Sequence, residues 1–161
     1  MLFRFCLVTA IAVASLPLFA DGKPTARGGV IDLSSSPLSD GDSPSLDGEW
    51  EFYPGVFLDP SSAPPSSALR VMADLPGLWK NGKAAGGARF GTYRLRVTVS
   101  SAKTDYYLHV PYMYSAYKLF VNGRLAASNG EPGTARETTR PFFHPETVAF
   151  HDAGSVLDIR I

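Results

Sequence analysis

The chain has a single cysteine, Cys6, among 161 residues, which excludes a disulfide framework within the chain and any multi-thiolate zinc site. It has no excess of either charge: 15 Lys+Arg stand against 15 Asp+Glu, so no net field draws it to nucleic acid or to acidic lipid. Beyond residue 20 it has no apolar run long enough to cross a bilayer and no sustained 3.6-residue period that would mark an amphipathic helix. It also lacks a G-x-S-x-G elbow, an HxH pair and an HExxH helix, the usual carriers of a nucleophile or a catalytic zinc. What is present is an ordinary globular balance, 45% apolar and 19% charged, in a length that holds one domain without room for a second large one.

Residues 1–20 have the layout of a signal peptide. Arg4 supplies the positive start, residues 5–19 are uncharged and largely apolar, and Ala20 offers a small residue at the cleavage point. About fifteen apolar residues fall short of the roughly twenty that span a bilayer, so a cleaved leader is expected and no stable membrane span after it. Cys6 lies at the start of the apolar run and not behind it, which excludes a lipoprotein reading. The expected location is periplasmic or extracellular, and the mature chain, 21–161, would then carry no cysteine.

Residues 21–45 are rich in Gly, Ser, Pro and Asp and form a lead-in segment, in which Val30-Ile-Asp-Leu33 could be an edge strand. From Leu46 to Tyr53 the chain alternates. Leu46, Gly48, Trp50 and Phe52 share one face, and Asp47, Glu49, Glu51 and Tyr53 the other, the pattern of a half-buried strand. Residues 59–69, with three Pro and four Ser, read as a surface loop.

Alternation returns at Tyr93–Val99 and Tyr106–Val110, and shorter strands are expected at 147–150 and 156–161. The sharpest local signal is Asn122-Gly123 between Tyr117–Val121 and Arg124–Ser128. Both turn residues tolerate positive φ, as a type I′ hairpin requires, so Val121 should oppose Arg124 and Phe120 should oppose Leu125. Short strands without helices predict an all-β domain over 46–161, a sandwich or a barrel. The sequence stops inside the final strand, so either that strand closes a sheet or the chain is a piece of something longer.

Several patterns touch on chemistry. Gly77 to Lys83 matches the first seven positions of a phosphate loop, but Ala84 stands where Ser or Thr would ligate magnesium, and no helix follows; it reads as a loop. Glu49 and Glu51 lie roughly 6.5–7 Å apart if both sit on one strand face. They cannot flank a glycosidic bond from opposite sides, so they read as surface charges. His109, His144 and His151 lack metal-ligand spacing, and no metal or cofactor is expected from them. Asp40, Asp42 and Asp47 could feed a calcium ion, although Asp-Gly turns explain them equally.

The remaining surplus is aromatic: seven Tyr, ten Phe and two Trp. Trp50 falls on the apolar face of its strand and is expected in the core. Trp79, Tyr112 and Tyr114 fall in turn-rich segments, where rings beside polar groups can stack on a sugar. Together with Arg94, which would bond a hydroxyl or carboxylate, they form the expected ligand-binding set.

With these residues in place, the chain resembles the galactose-binding-like jelly roll, and within it the periplasmic sensor domain of bacterial seven-transmembrane receptors with diverse intracellular signalling modules. The resemblance rests on Leu46–Tyr53, Leu75-Pro-Gly-Leu-Trp79, Gly91–Leu95 and Ala116–Gly123, in order over residues 29–161. The sugar-binding domain of family 2 glycoside hydrolases is similar in the Pro-Gly-x-Trp and Val-Asn-Gly blocks. The resemblance implies a jelly-roll sandwich and a small-molecule, carbohydrate-like ligand, without signal output or hydrolysis. It leaves open an envelope or membrane-receptor protein as partner, and a fragment of a longer receptor or hydrolase.

Overall fold

The computed structural model describes residues 23–35, 41–78, 87–100, 105–152 and 154–161. The alternating stretches form strands: β1 (Val30–Asp32), β2 (Gly48–Pro54), β3 (Val71–Leu75), β4 (Gly91–Thr98) and β5 (Asp105–Val110), then β6 (Tyr117–Val121), β7 (Arg124–Asn129), β8 (Glu146–His151) and β9 (Val156–Arg160). One 3₁₀ turn, Arg136–Thr138, lies between β7 and β8. Among the described residues no helix is long and apolar enough to cross a membrane.

Seven strands make one sheet in the order β3-β2-β4-β9-β6-β7, with β1 parallel beside β4; β5 and β8 make a second, antiparallel sheet. The core lies between them. Phe52, Leu95 and Leu119 of the large sheet are wholly buried, and Tyr106 and Val110 of the small sheet join them at 8% and 4% exposure. The fold is an all-β sandwich, one of the two architectures that the alternation allows and the one that the resemblance implies. Trp50 is a core residue, and its Nε1 donates to the Leu46 carbonyl at 2.8 Å, so the indole is buried with its one polar atom satisfied.

The β6–β7 hairpin has the expected register, Phe120 opposite Leu125 and Val121 opposite Arg124, with Asn122 and Gly123 at φ 46° and 80°. A bulge between Leu119 and Phe120 follows, and it increases the twist of the strand. β9 sits inside the large sheet, paired with β4 on one side and β6 on the other. Ile161 continues that ladder, exchanging both backbone hydrogen bonds with Tyr93 at 2.8 and 3.0 Å.

Three features go beyond the sequence patterns. Val71–Leu75 is an unforeseen edge strand, only five residues long and half-buried. The lead-in segment contributes Ala26, Ile31 and Leu33 to the core through β1 and a bridge from Ala26 to Gly48. Glu51 is not a surface charge: it is 1% exposed, because arginines and Tyr53 cover the polar face of β2. Glu49 remains exposed and accepts from the Gly28 amide at 3.1 Å.

Candidate functional site

The polar positions of β2, β4 and β9 converge on the outer face of the large sheet. The register sets Glu51 opposite Arg94 and Arg94 opposite Arg160, and Asp158 lies one step along β9. Arg94 donates from Nη1 to Glu51 Oε2 at 3.3 Å, and from Nε and Nη2 to Asp158 at 3.0 and 2.8 Å. Arg160 reaches the same carboxylate from Nε at 3.2 Å and from Nη2 at 2.8 Å. Its Nη1 donates to the carbonyls of Asp59 and Ser62 at 2.6 and 2.8 Å, which fastens the 59–62 loop to the sheet. Arg70 and the Tyr53 hydroxyl complete the surroundings of Glu51, both at 3.0 Å.

These contacts set the protonation states. Burial raises the Asp158 carboxyl, but the hydrogen bonds and charges of Arg94 and Arg160 outweigh it and hold the group below its ordinary value. Hydrogen bonding to Asp158 raises Arg94 against the opposing effect of burial. Burial and the hydrogen bond to Glu51 raise the Tyr53 phenol. Beside the network lies an open cleft of about 440 Å³ between Ser61, Ser62, Asn122 and Gly123, with Arg94, Asp158 and Arg160 along its wall.

The expected ligand set is divided in space. Arg94 stands on the outer face of the large sheet, with its guanidinium committed to Asp158 and Glu51. Tyr112 and Tyr114 lie on the β5–β6 loop, 60% and 80% exposed. The Tyr114 ring centroid is 6.2 Å from that of Phe143, and Phe142 stacks on His144 at 6.4 Å and 8°. Phe142 and Phe143 are themselves 59% and 55% exposed, so one end of the small sheet presents a group of open rings. Trp79 lies outside the described residues, as does Asp40.

Sequence reasoning missed Asp158, Arg160 and the burial of Glu51. It also gave no weight to Tyr107, which is 76% exposed in the middle of a regular strand. Two of the three histidines are held by near neighbours: Nδ1 of His109 lies 3.2 Å from Thr147 Oγ1, and Nδ1 of His151 lies 3.0 Å from Asp105 Oδ1. No three His, Cys, Asp or Glu gather as metal ligands among the described residues.

The class defined by this fold is an all-β sandwich with an ion-paired outer face and exposed loop aromatics. No protein-family model matches the chain, and no curated protein does. Among solved structures, the β-glucuronidase of Faecalibacterium prausnitzii is similar at a TM-score of 0.47 and 19% identity over 72% of this chain; the chain spans 20% of that enzyme.

Proposed function

We propose that the chain is a non-catalytic carbohydrate-binding domain, exported by its apolar leader, with Tyr112 and Tyr114 as the ring faces on which the sugar rests. The observation that carries this reading is the open aromatic group itself: Tyr112, Tyr114, Phe142 and Phe143 all stand more than half exposed at one end of the sandwich. Burying such a side chain would stabilise the fold by about 1.5–3 kcal/mol. Exposed clusters of this kind mark binding surfaces. A phenol ring offers an apolar face to the C–H side of a pyranose and a hydroxyl to its oxygens.

Absence of catalysis is supported by the two carboxylates of the ion-paired face. Asp158 is held below its ordinary value and is a poor proton donor. Glu51 is enclosed by Arg70, Arg94 and Tyr53 and is almost wholly buried. Arg94, committed to Glu51 and Asp158, is a structural residue of this network and not a sugar contact.

Titration calorimetry of the full chain against neutral and acidic sugars tests the proposal. Tyr114→Ala should weaken binding about tenfold, which corresponds to about 1.4 kcal/mol, with unchanged circular dichroism. Silence of the wild-type chain across mono- and oligosaccharides would sink it.

A further inference from the structure

The outer face of the β5–β8 sheet carries six exposed residues in three cross-strand rows. Asp105 opposes His151, Tyr107 opposes Ala149, and His109 opposes Thr147. Successive rows are about 6.5–7 Å apart, so the face runs for about 13 Å along the strands. Its middle row pairs a large exposed ring with the small Ala149, which leaves the ring face uncovered. The rows on either side are polar, and each holds a histidine through Nδ1, so Nε2 is the ring nitrogen outside that contact. A shallow concavity of about 250 Å³ lies at the Asp105–His151 end of the sheet, lined by Asp105, Tyr106, Tyr107, Ala149, Phe150 and His151.

The underside of this sheet is rigid. Tyr106 and Phe150 stack at 5.5 Å and 21°, and Leu108 and Val148 pack against the core. The aromatic loops leave the sheet beyond its His109–Thr147 row. The last pair of the sheet, Val110 with Glu146, turns inward to the core and to Tyr117, and Tyr112 and Phe143 follow within three residues of that pair on their respective chains.

We propose that Tyr107 is a further sugar subsite of the same binding region, so that the ligand is an oligosaccharide laid along β5 and β8 and not a single sugar. This rests on the reading of Tyr112 and Tyr114 as a sugar platform. A ring face bordered on both sides by hydrogen-bonding groups, repeated along a fixed direction, matches a polymer of pyranose rings, which alternates C–H faces with hydroxyl edges.

The test is calorimetric titration of the full chain with gluco-, galacto- and xylo-oligosaccharides of one to six units. Affinity should rise about tenfold between the disaccharide and the pentasaccharide. Tyr107→Ala should remove that rise and leave disaccharide affinity unchanged, and Tyr107→Phe should retain most of it. Binding without dependence on length, or a length dependence that Tyr107→Ala does not alter, would overturn the subsite and leave the Tyr114 platform standing. No binding to any sugar would remove both. Self-association abolished by Tyr107→Ala, with sugar binding intact, would assign the face to a second copy instead.

Discussion

Arg94 meets Asp158 side-on from the neighbouring strand, with Nε 3.0 Å from one carboxylate oxygen and Nη2 2.8 Å from the other. Arg160 approaches the same carboxylate along its own strand, so a single acid lies between two guanidinium groups. The pairing is bidentate and partly shielded, with Arg94 16% and Asp158 23% exposed, and such pairs contribute more than a solvated surface bridge.

Asp158→Asn should lower stability by about 2 kcal/mol at neutral pH, less than for a wholly buried pair because the carboxylate keeps some contact with water. The folded pKa lies below the unfolded one. The stabilisation is therefore complete above the unfolded value near 3.9, and it disappears as pH falls through the folded value. Thermal melts from pH 7 to pH 2 should show the wild type and the variant converging at the acid end. A constant gap across that range would contradict the assignment.

Arg94→Ala separates architecture from recognition. It leaves Glu51 and Asp158 each without one cation and should cost about 3 kcal/mol in denaturant unfolding. Sugar affinity of the folded fraction should change less than about twofold, since the ring platform lies elsewhere. A large loss of affinity at unchanged stability would return Arg94 to the binding set.

Gly123→Ala probes the hairpin. At φ 80° a Cβ is strained, and it would meet Ser61 Oγ at 3.3 Å and the Pro60 carbonyl at 3.4 Å. The expected cost is about 1 kcal/mol, a fall of about 3–4 °C in the melting temperature. An unchanged melting temperature would show that the turn and the 60–61 loop adjust freely.

Tyr117 donates to Glu146 Oε1 at 2.8 Å, joining the two sheets. Burial, then this hydrogen bond, push its phenol up to about 12. A raised acid stabilises the fold below the unfolded value of about 10, and that contribution is lost as pH climbs from there towards the folded value. Tyr117→Phe should cost about 1 kcal/mol at neutral pH and flatten the stability profile above pH 10. A profile unchanged by the substitution would place the bond outside the stability balance.

The sequence made local features legible and hid those that depend on distant chain. Asn122-Gly123 encodes its turn within two residues, and Trp50 declares its burial through the alternation around it. Glu51 shows the same alternation on the opposite face, yet nothing nearby says that this face is covered. Its partner Arg94 is 43 residues away, and Arg94's own partner Asp158 a further 64. β3 escaped because five residues, three half-buried and two exposed, carry little pattern after a Pro-rich loop. Tyr112 and Tyr114 were legible as loop aromatics, whereas Tyr107 looked like any wet-face residue until Ala149 was found opposite it.

The position of β9 has a consequence for how the chain is made. β3, β2 and β4 form one part of the large sheet, β6 and β7 another, and β9 is the strand that joins them. During synthesis both parts emerge before residues 156–160 do. Until then β4 and β6 each present an open backbone edge, the kind of surface on which nascent chains mispair. Completion of the sheet is an insertion rather than an addition at its margin, so β9 is its keystone.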